Sequence, residues 1–171
     1  MNSESLPVAL ARSSLKFYLE HGTLIPATAE LADELRRPAG VFVSFKHNKE
    51  LRGCIGTFQP LQPTIAEEII HNAVAAGTQD PRFWPIELDE LPELTISVDI
   101  LEPPERIDSL SELDPHRYGV IVRSGQRSGL LLPMLEGVDT VTEQVEIARQ
   151  KAGIQPNEQV ELYRFTVTRY R

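Results

Sequence analysis

The one cysteine of the chain lies in Leu51 Arg52 Gly53 Cys54 Ile55 Gly56, between two glycines and two residues from an arginine. In an extended segment alternate side chains share a face, so this spacing predicts that Arg52 and Cys54 project together, with a guanidinium beside the sulfur. A nearby cation favours thiolate over thiol, and the thiolate is the nucleophile. Gly53 and Gly56 free the backbone to turn or to admit a close neighbour that a Cβ would obstruct. The competing reading is a buried cysteine that serves as a small, inert hydrophobe.

A second constellation is Asp80 Pro81 Arg82 Phe83. Proline fixes the backbone between an acid and a base, so both can be held at one wall of a cleft, where the fork of Arg82 suits a carboxylate or phosphate. The plainer alternative is a structural corner in which Asp80 caps a turn and Phe83 and Trp84 plug the core. Nucleophilic catalysis at Cys54 would also need a base. The histidines His21, His47, His71 and His116 are scattered with no pattern that marks a partner, and His71, on the helix after the cysteine segment, is slightly better placed than the others. Lys151, just before Ala152 Gly153, suits the dipole at a helix C-terminus.

Several formal matches fail on context. Gly53 to Gly56 fits the G-x-x-G of an RNA-binding loop, but that loop joins helices, whereas this one sits in a strand of an acidic chain. Ser13 and Lys16 fit S-x-x-K without the motifs that accompany it. No Cys/His spacing suits zinc, and no P-loop or dinucleotide glycine fingerprint occurs. Neither a metal nor a cofactor is implied.

The elements that must position these residues follow from periodicity. Leu6, Leu10, Ser13 and Phe17 fall at helical spacing between Ser5 and a stop at Gly22, and a short helix is predicted over Ala29–Arg36, ended by Pro38. Val41–Phe45 and Leu51–Phe58 predict a hairpin across the polar turn Lys46–Glu50, its second strand carrying Cys54. Thr64 with Glu67 caps a helix whose apolar face is Ile65, Ile69, Ala73 and Ala76. Leu94, Ile96, Val98 and Ile100 alternate with polar residues and predict a strand stopped at Pro103 and Pro104. Ser109 and Glu112 mark a capped turn, Tyr118–Arg123 and Gly129–Leu132 a hairpin, Val141–Ala152 a helix ending at Gly153, and Val160–Arg169 a last strand. Helices and antiparallel hairpins without a βαβ repeat argue for an α+β fold. Lobe boundaries are expected at Pro60/Pro63 and Pro103/Pro104.

With 171 residues, 41% hydrophobic and 25% charged, the chain has the composition of an ordinary soluble globule. A formal charge of −8 disfavours broad contact with nucleic acid, which needs a basic surface. No apolar run is long enough to span a bilayer and the start lacks the regions of a signal peptide, so the expected location is the cytoplasm. A lone cysteine agrees with a reducing compartment.

Gly40 Val41 Phe42 Val43, then Leu51 to Thr57, Asp80 Pro81 Arg82 Phe83, Glu90 Leu91 Pro92 Glu93 Leu94, Leu131 Leu132 Pro133 and Lys151 Ala152 Gly153 occur in one order across nearly the whole chain. In these segments the chain resembles the AMMECR family, most closely the protein A type of the AmmeMemoRadiSam system, for which LRGCIG is a specific motif. The resemblance implies a single AMMECR-type domain over residues 1–171: an antiparallel sheet with flanking helices in two subdomains, the larger built from both chain ends. It places LRGCIG near a cleft between the lobes, and it implies association with a Memo-type protein and a radical SAM protein. One departure is Val138 Asp139 where many relatives carry Trp Asp.

Together these readings single out Cys54, Arg52, Asp80 and Arg82 as candidate catalytic residues, with Gly53, Gly56, Thr57, Phe83 and Lys151 as candidate substrate-binding residues. One function is a cysteine-dependent enzyme acting on a small anionic metabolite, with Cys54 as nucleophile, Arg52 and Arg82 holding the anion or stabilising the thiolate, and Asp80 orienting an arginine. The alternative is a non-catalytic binding or scaffold protein for the Memo-type and radical SAM partners. A third reading, a thiol redox sensor, would need an intermolecular partner for Cys54.

Overall fold

The computed structural model describes residues 3–28 and 32–171. Among these described residues are three α-helices and eight strands: α1 Leu6–His21, β1 Val41–His47, β2 Glu50–Thr57, α2 Ile65–Thr78, β3 Thr95–Leu101, β4 Glu105–Ile107, β5 Gly119–Ser124, β6 Arg127–Leu131, α3 Val141–Ala152, β7 Glu161–Phe165 and β8 Val167–Tyr170. This is an α+β fold with two four-stranded sheets, ordered β2-β1-β3-β8 and β4-β7-β5-β6. The chain divides into two compact units, residues 1–100 with 168–171, and residues 101–167.

In the first unit the β1–β2 hairpin turns through Asn48 and Lys49, both at positive φ (49° and 71°), the twist that a two-residue turn needs to match its strands. Val41, Val43 and Phe45 alternate to one face of β1 and are fully buried. Against that face lies α2, which also packs on β2 and α1. Thr64 starts α2 by accepting the N–H of Glu67 on its side chain. The approach of α2 to β2 requires glycine at position 53, since a Cβ there would stand 2.2 Å from the Ala76 carbonyl oxygen.

The second unit repeats the device with other residues. Helix α3 begins with a reciprocal capping box between Thr140 and Glu143 and ends at Gly153 in the left-handed region. Its apolar side, including Val145 and Ala148, joins Val120, Val122 and Leu131 of the sheet in one core. Val138 belongs to that core.

Three expectations need correction. The single strand over Val160–Arg169 is divided: β7 pairs with β4 and β5 in one sheet, while β8 belongs to the other. A strand lasts only as long as its partners, and at Thr166 the carbonyl is taken instead by the N–H of Glu102. Pro60 and Pro63 lie inside the first unit, and the division falls at Ile100, just before Pro103. Beyond Pro104 the chain forms the short strand β4, which two prolines and a charged pair conceal. The start of the helix expected over 29–36 lies outside the described residues, and its end is only the 3-10 turn Asp33–Leu35. Among the described residues no helix is long and apolar enough to cross a membrane.

Candidate functional site

Strand pairing assembles a polar row on the face of the first sheet opposite to Val41, Val43 and Phe45. Cys54 of β2 stands opposite Ser44 of β1, and Ser44 stands opposite Ser97 of β3. Because β2 is an edge strand, the N–H of Cys54 points away from β1, and Oδ2 of Asp80 accepts it at 3.0 Å. Ser44 and Cys54 are therefore a non-hydrogen-bonded pair, the kind whose side chains approach most closely. The Ser44 hydroxyl donates to Sγ at 3.1 Å.

Asp80 is the hub of the loop after α2. Its carboxylate accepts the N–H of Arg82 at 3.1 Å and binds the Arg82 guanidinium through Nε at 3.0 Å and Nη2 at 2.8 Å. The acid side chain is 3% exposed and its arginine 57% exposed, so a buried anion holds a cation that faces solvent. The bond from Arg82, with the backbone N–H of Cys54, keeps the Asp80 carboxyl well below the usual carboxylate range despite its burial. The guanidinium also lies over the Phe83 ring, 5.4 Å from its centroid.

Arg52 does not stand beside the sulfur. Between Phe45 and Lys46 of β1 the register shifts, so that two residues there face Leu51, Arg52 and Gly53 of β2. Arg52 is the extra residue of a β-bulge, which breaks the alternation that would have placed it with Cys54. Its guanidinium instead binds Glu90 through Nε (2.9 Å) and Nη2 (3.0 Å), and donates to the carbonyls of Trp84 (2.8 Å) and Pro85 (3.2 Å).

The thiol is half-buried, and burial pushes its pKa above the ordinary value. The Ser44 bond and the charge of Arg82 pull the other way, while Asp80 and Asp99 reinforce the rise. Burial, the largest of these influences, opposes the thiolate at Cys54. Asp99, two residues from Ser97 on the same face of β3, pairs bidentately with Arg169 of β8, both bonds at 2.7 Å. Ser44, Asp99 and Arg169 were not singled out from sequence. Their signal lay in the polar half of each alternating strand, and it emerges only when the strands are laid side by side.

The remaining candidates make the following contacts. Gly53 and Thr57 face α2: the Thr57 hydroxyl bonds the buried Glu68 and accepts from Asn72 at 3.1 Å. Gly56 lies under the Phe42 ring, whose nearest atom would be 2.2 Å from a Cβ. Lys151 belongs to the second unit, where Nζ donates to the Leu130 carbonyl at 2.9 Å. Each histidine has a partner apart from the thiol: Phe17 for His21, Glu93 for His47, Glu67 for His71 and Asp139 for His116. Phe83 is half-buried, but Trp84 is 88% exposed and plugs nothing. Among the described residues no group of three or more His, Cys, Asp or Glu side chains is placed to hold a metal ion.

Comparison with known proteins gives a consistent set of likenesses. The model of the AMMECR1 family matches residues 8–170. A protein of Thermotoga maritima is 54% identical over 157 residues, covering 90% of each chain. A longer protein of Clostridium acetobutylicum is 50% identical over 166 residues, which are 96% of this chain and 35% of that one. The crystal structure of the uncharacterized protein PH0010 from Pyrococcus horikoshii superposes with a TM-score of 0.87 at 34% identity, over 95% of this chain and 88% of that one.

Proposed function

The chain belongs to the AMMECR1 family, and from that premise we propose that it is a non-catalytic binding component of the AmmeMemoRadiSam system, docking an anionic group at Arg82. The observation that carries this reading is the Asp80 hub. One buried carboxylate orients Arg82 from behind through two of its N–H donors and leaves the rest of a half-exposed fork for an anion. Cys54 lines the same site as a neutral thiol, fixed to Asp80 through its own backbone. On this reading residues 1–171 act as one AMMECR-type domain in the cytoplasm, beside a Memo-type protein and a radical SAM protein.

The cysteine-enzyme reading keeps one observation in its favour. The Ser44 bond and the Arg82 charge both favour thiolate, as an activating environment would. Co-purification with the Memo-type and radical SAM proteins separates the two. Retention of both partners by Cys54→Ala and their loss with Arg82→Ala is the expected result. Partners lost with Cys54→Ala and kept with Arg82→Ala would reject the binding reading.

A further inference from the structure

Two aspartate–arginine pairs of the first unit are built alike. Asp80 binds Nε and Nη2 of Arg82, and Asp99 binds Nε and Nη2 of Arg169. Both carboxylates are buried, while Arg82 is exposed and Arg169 half-buried. Among the described residues no protein acceptor meets Nη1 of either guanidinium. An arginine carries five N–H donors in one planar fork, so each pair leaves an edge, Nη1 with the outer N–H of Nη2, turned away from its aspartate. Two parallel donors on such an edge match the two oxygens of a carboxylate.

Strand register sets the pairs at opposite ends of one polar floor. Cys54, Ser44 and Ser97 lie in line across β2, β1 and β3. Arg82 stands at the β2 end, because the carboxylate that holds it also accepts the Cys54 N–H. Arg169 stands at the other end, where it reaches from β8 to Asp99, two residues along β3 from Ser97. Each arginine pKa is raised first by the bond to its aspartate and further by the charge of Cys54, so both guanidiniums lie within electrostatic reach of one sulfur. From β2 to β3 the floor spans two strand spacings, about 10 Å. Its side chains are small: the Ser44 hydroxyl is given to Sγ, and the Ser97 hydroxyl has no protein partner among the described residues.

The charge of this face differs from that of the chain. Lys46, level with Thr95 and exposed, alternates to the same side as Ser44. With Arg82 and Arg169 it makes three cations against the two acids Asp80 and Asp99, on a chain of net charge −8. A locally positive surface of that kind draws an anion.

We propose that Arg82 and Arg169 are the two ends of one site, and that its ligand carries two carboxylates, one on each guanidinium, with its body along Ser44 and Ser97 beside Cys54. The proposal rests on the reading of Arg82 as an anion-docking group and adds a second attachment point and the class of ligand.

The test titrates the full chain calorimetrically with straight-chain dicarboxylates from glutarate to suberate, each against the monocarboxylate of equal length. One length is expected to bind at least about ten times more tightly than its monocarboxylate, because the second contact is made within one molecule. Arg82→Gln, which keeps a donor for Asp80, should abolish that advantage. Asp99→Leu/Arg169→Met, which strands no charge, should abolish it too. An advantage absent from the wild type, or surviving in the Asp99/Arg169 variant, overturns this inference and leaves Arg82 as a single-anion site. So does tighter binding of inorganic phosphate than of every dicarboxylate. An advantage that survives Arg82→Gln overturns the Arg82 reading as well. Where the dicarboxylate binds as expected, release of the Memo-type or radical SAM protein by it supports the two acids being the partner's, and an intact complex supports a free small molecule.

Discussion

Oδ2 of Asp80 accepts the backbone N–H of Cys54 at 3.0 Å, tying the edge of the first sheet to the loop that carries Arg82. The bond does two things at once. It satisfies an edge-strand donor that would otherwise offer itself to another chain, and it sets the orientation of the half-exposed guanidinium. The thiol and the arginine therefore share one anchor, although neither is hydrogen-bonded to the other.

Stability should carry the signature of that anchor at acid pH. The folded carboxyl of Asp80 titrates below its ordinary range, so as pH falls the unfolded chain binds the proton first. The stabilisation is present above the ordinary carboxylate value and is lost as pH falls toward the folded one. Asp80→Asn should cost about 1–2 kcal/mol at neutral pH. In urea unfolding the difference from wild type should be flat above about pH 5 and shrink below about pH 4.

Gly53→Ala tests why the motif contains its first glycine. A Cβ would meet the Ala76 carbonyl oxygen at 2.2 Å, a backbone atom of α2 that cannot swing aside. The variant should lose about 2–3 kcal/mol, read as a lower unfolding midpoint in urea. An unchanged midpoint would mean that the glycine is there for a ligand rather than for the helix.

Asp99 and Arg169 are both largely buried, with side chains 7% and 18% exposed. Arg169→Met would strand the carboxylate and should cost about 3 kcal/mol. The double variant Asp99→Leu/Arg169→Met should recover most of that loss, since a well-packed apolar pair can replace a buried ion pair. The same urea experiment measures both.

Much of the fold was legible because it rests on local signals. The capped start of α2 at Thr64, the helix stop at Gly153 and the alternation of Ile96, Val98 and Ile100 are each decided within a few residues. What was not legible depends on pairing. The β-bulge that turns Arg52 away from Cys54 exists only in the match between β1 and β2, and the division of the last strand exists only because its partners change at Thr166. The site suffered from the same blindness. Asp80 and Arg82 are two residues apart and were found together, whereas Ser44, Asp99 and Arg169 reach Cys54 only through strand register. The structural-corner reading would put Trp84 in the core, but a side chain's size does not decide its burial: Ile86 is 2% exposed and Trp84 88%.

The central claim is that Cys54 is a neutral thiol lining the Arg82 site, and the pH dependence of its alkylation by iodoacetamide tests it most directly. The predicted midpoint lies above the ordinary thiol value of 9.0. Ser44→Ala should move it higher still by removing the O–H···S bond, and Arg52→Ala should leave it in place because that guanidinium is committed to Glu90 and the Trp84 loop. A wild-type midpoint near or below neutrality, raised by Arg52→Ala, would contradict the account and return Cys54 to the role of an activated nucleophile.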